Sequence, residues 1–366
     1  MVSLDLLSPI RLRLFTAILC CTVSCSSAAD EVDGHIIKVM ADKQIPGLQL
    51  SVARGGKIIK SGNYGLSNLQ DSVAVSDKTR FPINSMTKAF TGVAVMQLAE
   101  QGKLTVDDTI DKHLADLPEA WRKLTIRQLM SHTSGLPNIL RGKAKLIKAD
   151  DPESSWQAVR TAPMQFSANT RFSYNQTGYI LIGKIIDKLS GQPFTQFITE
   201  QQLQPLEMTK TAGGGFGYFE YVVPNQARQY YYDSNGQLHT LHAEFAPFLR
   251  AAAGMTSNAT ELAHYSIALR QGKLLELASL KAMWTATTLG NGQTAGFNEL
   301  ENGYGIGWQV IGREKRPAVS ASGGNASTLI IYPEDDLAIV VLTNLVGALP
   351  INFVDDIAAF YLSEDI

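Results

Sequence analysis

The sequence predicts an α/β fold of the α+β kind, in which an antiparallel sheet flanked by helices carries an inserted, mostly helical domain. Three observations predict it. β-type runs begin after residue 46, they return after residue 326, and the chain between them is dominated by apolar side chains at helical spacing. With 366 residues, 45% hydrophobic and 18% charged, the chain has material for about two domains of ~150 residues. That composition excludes intrinsic disorder and collagen-like repeats. No linker rich in Pro, Gly or Ser interrupts it, so the domains are expected to interleave: residues 30–84 plus 250–366 as the sheet domain and 85–249 as the helical one, a single catalytic unit after a leader at 1–29.

Arg11 and Arg13 form a basic start, Leu14 to Cys25 is apolar but too short to span a bilayer, and Ser27-Ala28-Ala29 offers small residues for signal-peptidase cleavage. The expectation is an export signal and a periplasmic or secreted protein, with no transmembrane span in the mature chain. A buried N-terminal helix is the alternative. Cys20, Cys21 and Cys25 all lie in this segment, so the mature chain would hold no thiol, disulfide or metal thiolate. Thr22-Val23-Ser24-Cys25 also resembles a lipoprotein site, which leaves anchoring through Cys25 open.

Residues 47–65 show two β-type runs around Gly55-Gly56, a hairpin pattern. Residues 85–102 place Met86, Ala89, Phe90, Val93, Met96 and Leu98 at helical spacing, with Gly102 as a stop. Residues 124–131, 176–190 and 195–205 read as further helices, broken at Gly135, Pro137 and Gly191. Ser327 to Tyr332 and Leu337 to Thr343 flank Pro333-Glu334-Asp335-Asp336 as a buried antiparallel hairpin, and residues 350–362 read as a closing helix. Lys+Arg 32 against Asp+Glu 34 gives a net charge of −2 and no broad positive field, which argues against binding to nucleic acid or anionic lipid.

The chemistry starts at Phe81-Pro-Ile-Asn-Ser-Met-Thr-Lys88. On a helix, i and i+3 share a face, so Ser85 and Lys88 can bring Oγ and Nζ within hydrogen-bond reach. A lysine made partly neutral by burial can take the serine proton, and a helix N-terminus at Ser85 would aim a backbone N–H at a developing oxyanion. Read alone, the pattern also fits a capping serine beside a solvated lysine. The competing signatures are missing: there is no G-x-S-x-G, no H-E-x-x-H and no G-x-x-x-x-G-K-[ST]. His239, His242 and Glu244 form the one metal-like cluster, without cysteines or a second ligand set, so neither metal nor cofactor is expected.

Several motifs in one order extend this reading. Ile45-Pro-Gly47, Phe81 to Lys88, Leu98 to Asp108, Thr125 to Pro137, Arg171 to Tyr179, Ala252 to Ser257, Tyr304-Gly-Ile-Gly-Trp308 and the hairpin ending Leu342-Thr-Asn344 together resemble the serine β-lactamase and penicillin-binding-protein-like hydrolases. Within that superfamily the chain is most similar to the class C-type branch, which includes D-peptidases and family VIII esterases. The resemblance implies Ser85 as the acylated nucleophile, Lys88 as its general base and Tyr174, from the family's Y-x-N motif, as a proton shuttle. The asparagine of that motif falls on Gln176, one methylene longer. The family's K-T-G, H-x-G or W-x-G strand motif aligns with Ala321-Ser322-Gly323-Gly324, so the usual cationic or aromatic position is an alanine. Its backbone half is kept: Gly323 and Gly324 permit close approach, and the Gly324 N–H is the implied second oxyanion donor beside that of Ser85. Ser322 is open between replacing a lost hydrogen bond and simply facing a strand neighbour. Arg313, Lys315 and Arg316 are open between supplying charge to the cleft and forming a solvated turn, and His132 is read as part of a structural turn. The expected function is that of an exported serine hydrolase acting through a Ser85 acyl-enzyme on a small-molecule or peptide substrate, in the order small ester, β-lactam, D-amino-acid peptide. The alternatives are a weakly active acyl- or peptidoglycan-binding module of the same fold, or an acyltransferase; the oligomeric state is left open.

Overall fold

Leu337 to Thr343 form one uninterrupted buried strand because both faces of the sheet they join are covered. The structure, a computed structural model, describes residues 28–142, 145–148, 151–216, 221–241 and 245–362. Helix α1 (Ala28–Asp42) leads into the hairpin of β1 (Gly47–Arg54) and β2 (Lys57–Asn68), edged by β3 (Val73–Ala74). Strand β4 (Phe81–Pro82) and a 3-10 turn at Asn84–Met86 precede α2 (Thr87–Glu100). The middle holds α3 (Ile126–Met130), the short hairpin β5 (Leu140–Arg141) and β6 (Lys145–Leu146), α4 (Pro152–Thr161), α5 (Thr177–Ser190), α6 (Phe194–Ile198), α7 (Thr209–Gly214) and a second hairpin, β7 (Tyr230–Tyr232) with β8 (Leu238–Thr240). Then come β9 (Thr256–Ser257), α8 (Ala259–Arg270), α9 (Leu277–Trp284), β10 (Gly303–Tyr304), β11 (Gln309–Ile311), β12 (Ala318–Gly323), β13 (Ser327–Tyr332), β14 (Leu337–Thr343) and α10 (Val354–Ala359).

Eight strands make one sheet in the order β10-β11-β12-β13-β14-β1-β2-β3, so β14 from the end of the chain pairs antiparallel with β1 from its beginning, Leu48 opposite Thr343 and Arg54 opposite Leu337. Side chains alternate along each strand. Leu48, Leu50, Val52, Ile330, Ile339 and Val341 join one buried cluster with α1 and α10, while Leu329, Ile331, Ala338, Val340 and Leu342 join the larger cluster with α2, α5 and α8. Two covered faces turn alternation into the near-continuous apolar runs seen in the sequence. This is the antiparallel sheet flanked by helices that the sequence predicts.

The elements differ from expectation in four places. The expected leader lies mostly outside the described residues, but α1 begins at Ala28 and buries Val32 and Ile36, an element the sequence reading did not assign. The helix expected from residue 85 starts at Thr87, because Asn84 sits at φ 49° and Ser85 belongs to a tighter turn before it. The helix expected over 195–205 is α-helical only through Ile198; Pro205, lacking an N–H, is accommodated in a 3-10 turn at Gln204–Leu206. The closing helix is split, a 3-10 turn at Pro350–Asn352 followed by α10. Local chemistry supports the rest: Thr125 and Gln128 form a reciprocal capping box on α3, and Asn258 caps α8 by accepting the Glu261 N–H.

Candidate active site

Ser85 is presented by a turn that the sheet holds from behind. The end of β12 approaches so closely that a Cβ on Gly323 would lie 2.0 Å from Ile83 O and 2.8 Å from Ser85 N, so this position accepts no side chain. Ser327 Oγ on β13 donates to Ile83 O at 3.1 Å, and Thr87 Oγ1 donates to Asn84 O at 2.7 Å. Asn84 therefore keeps its left-handed backbone immediately before the serine, a strain fixed by its surroundings.

Lys88 follows on the first turn of α2 and is 1% exposed. Its Nζ lies 2.8 Å from Gln176 Oε1, 2.9 Å from Ala252 O and 3.5 Å from Ser85 Oγ, over the rings of Tyr174 and Tyr179 at 4.8 and 4.9 Å. Burial drives its pKa well below that of a free lysine, since the ammonium loses its water. The distance to Ser85 is at the outer edge of hydrogen-bond reach, as is common in sites without substrate.

Tyr174 lies just before α5, half-buried, its ring 4.4 Å from that of His132 and 5.0 Å from that of Phe297. Burial pushes its phenol up to about 12, against hydrogen bonding with Ser85 and Gln176 that pulls the other way. The phenol thus holds its proton at neutral pH. The neighbouring Lys88 is itself pushed toward neutrality by burial, so it offers the phenol little charge that would make it basic.

Gln176 keeps the amide and turns it on Lys88, while its backbone N–H donates to Asn138 Oδ1 at 3.1 Å. On β12, Ala321 is 2% exposed and packed in the apolar core. Ser322 Oγ lies 3.0 Å from Thr328 Oγ1 on β13, so its hydroxyl is engaged with a strand neighbour. Gly324 is exposed and left-handed at φ 59°. Arg313 is drawn away from the cleft by a two-pronged pair with Asp355 on α10, at 2.8 and 3.0 Å. His239 pairs with Asp233 at 3.1 Å and stacks on Tyr231; His242 and Glu244 lie outside the described residues, and among the described residues no group of His, Cys, Asp and Glu is placed to hold a metal.

Ser85, Lys88, Tyr174 and Gln176 therefore meet, with Gly323 directly behind the serine. Several neighbours escaped the sequence reading. Ala252 acts only through its carbonyl, which no side-chain pattern encodes. Tyr304 and Tyr179, both inside motif stretches, form an aromatic cage with His132 under Tyr174, and Phe297 reaches in from the loop before β10.

A serine and a desolvated lysine one helical turn apart stand where an antiparallel sheet meets a helical layer, the architecture of β-lactamase-like folds. The chain belongs to the Beta-lactamase family, whose sequence model matches residues 32–362. It is 26% identical over 328 residues to Protein flp of Staphylococcus aureus (strain COL), covering 87% of this chain and 64% of that protein. It is 26% identical over 318 residues to Penicillin-binding protein 4* of Bacillus subtilis (strain 168), covering 80% and 66%. This chain thus spans less than two thirds of the length of either relative. A solved class C β-lactamase shares the fold at a TM-score of 0.74 and 18% identity, over 94% of this chain and 99% of that one.

Proposed function

We propose that this chain is an exported hydrolase that cleaves neutral esters through an acyl-enzyme on Ser85. Neutral Lys88 takes the Ser85 proton as Oγ attacks the carbonyl carbon, and the N–H groups of Ser85 and Gly324 hold the oxyanion. As the carbonyl re-forms, Tyr174 gives its proton to the departing oxygen and recovers one from the Lys88 ammonium. In deacylation Lys88 takes a proton from water, the resulting hydroxide attacks the acyl carbon, and a proton returns to Ser85 Oγ as the acid leaves. One observation carries the reading: Lys88 is buried beside Ser85 with its pKa far below that of a free lysine. Export rests on the sequence of residues 1–29 alone.

The preference for esters over β-lactams and D-amino-acid peptides rests on Ala321, a methyl group where the resemblance expects a side chain that can meet a substrate carboxylate. Phe297, 43% exposed and leaning on Tyr174, adds an apolar wall beside the reacting atoms. The test follows p-nitrophenyl butyrate and nitrocefin hydrolysis by residues 30–366, with labelling of Ser85 by a fluorophosphonate and a Ser85→Ala control. Turnover and labelling that both vanish in the control support the reading, and an ester rate well above the nitrocefin rate supports the substrate class. Equal kcat/KM on D-Ala-D-Ala peptides and p-nitrophenyl esters would overturn the preference.

A second reading is favoured by the lysine's geometry, since Nζ is held more closely by Gln176 than by Ser85. A site of that kind suits an acyl-binding module that acylates without turning over, and Ser85 that labels but never releases product would select it.

A further inference from the structure

The segment Ser131-His132-Thr133-Ser134-Gly135 does more than turn the chain. His132 grips the backbone on both sides of Tyr174: its carbonyl accepts the Ser173 N–H at 2.9 Å, and its ring Nδ1 accepts the Asn175 N–H at 3.1 Å. Between those two bonds its ring packs on the phenol ring of Tyr174 at 4.4 Å. Three contacts from one residue thus fix the residue before Tyr174, the residue after it and the ring itself.

The neighbourhood supports this. His132 is left-handed at φ 62°, a conformation His, Asn and Asp tolerate better than most side chains, and it is this backbone that turns carbonyl and ring toward the same strand of chain. The ring is 1% exposed and stands against Tyr179 and Tyr304 as well, so it has one place to be. Burial holds it neutral; with Nδ1 accepting, the proton sits on Nε2, which finds no hydrogen-bond partner. A purely space-filling role would be served by an apolar ring without burying that unpartnered nitrogen. Asn138 extends the hold, accepting the Gln176 N–H on its Oδ1 at 3.1 Å.

We infer that His132 is the positioning residue of the site, which holds the Tyr174 phenol in register with Ser85 and Lys88 without touching the substrate. This rests on the hydrolase reading for its kinetic consequence but not for its structural one. His132→Leu removes the Nδ1 acceptor and keeps apolar bulk, while His132→Asn supplies an Oδ1 acceptor near the place of Nδ1 and tolerates the left-handed backbone.

Two measurements test it. With p-nitrophenyl butyrate, His132→Leu is expected to lower kcat by about 10- to 100-fold, the range for a misplaced catalytic group, with KM and the rate of fluorophosphonate labelling at Ser85 nearly unchanged. His132→Asn is expected to recover at least tenfold of the lost kcat. Amide hydrogen exchange over residues 171–176 reads the same grip in protein that turns over nothing: exchange accelerates in His132→Leu and is restored in His132→Asn. Unchanged exchange in His132→Leu overturns the inference, as does an equal loss of kcat in both variants, which would make the ring mere packing. Wild-type protein without turnover but with the expected exchange pattern sinks the hydrolase reading and leaves the positioning role standing.

Discussion

Gln176 Oε1 lies 2.8 Å from Lys88 Nζ, inside the 3.5 Å that separates this nitrogen from Ser85 Oγ. The amide therefore stabilises the ammonium that burial otherwise opposes, and with Ala252 O it fixes where the nitrogen sits. Gln176→Ala removes one acceptor from the charged form, so the Lys88 pKa falls further. The acid limb of kcat/KM should move to lower pH while kcat drops by about 10- to 100-fold, the scale of general-base efficiency. An acid limb that stays in place would show that Gln176 does not set the lysine.

Lys88 itself gives a pH prediction. Activity should rise with pH as the lowered pKa is passed, because only neutral Nζ accepts the serine proton. Lys88→Arg should lose about 10³-fold or more, since a guanidinium stays charged throughout, and raising the pH to about 10 should recover nothing. The same shift carries a sign for stability. Between the depressed folded pKa and the unfolded value near 10.5, the unfolded chain binds the extra proton, so this group makes the fold more stable as pH rises through that window. A denaturation midpoint for Lys88→Met less dependent on alkaline pH than that of wild type is the measurement that checks it.

Gly323→Ala inserts a Cβ 2.0 Å from Ile83 O, a clash with backbone that no side-chain rotation relieves. The cost should be about 1–3 kcal/mol of stability, as for other overpacked positions. Turnover should fall more than tenfold even where the variant is fully folded, because the displaced atoms include Ser85 N. Chemical denaturation and kcat on one preparation separate the two effects.

Phe297→Ala tests the apolar wall. With an aryl ester, KM should rise about three- to tenfold, on the scale of one modest apolar contact, while kcat changes less than twofold. Loss of kcat with KM unchanged would instead place Phe297 among the groups that hold Tyr174.

Sequence reading reached what side chains encode by spacing. The hairpin β13–β14 was legible because both faces are buried and the apolar runs are unbroken, and Ser85 with Lys88 was legible because one helical turn separates two chemically matched groups. The order of surrounding motifs added Tyr174 and Gln176. Contributions made by backbone were not legible: the Ala252 carbonyl, the Asn84 kink that moves the helix start from Ser85 to Thr87, and the left-handed φ of His132 within the turn already read there depend on tertiary packing. α1 was missed because its buried stripe, Val32 and Ile36, is short and comes directly after an apolar leader-like segment.

The pairing of β1 with β14 also has a consequence in time. Ser85 and Lys88 are synthesised well before the strand that braces their turn and the strand that completes the sheet centre. Pairings between such distant segments form slowly, because a long loop must close first. A chain lacking the residues from 323 onward carries the reactive pair with nothing behind it, so the ability to acylate should switch on late and in one step, once β12 to β14 have folded back beside β1.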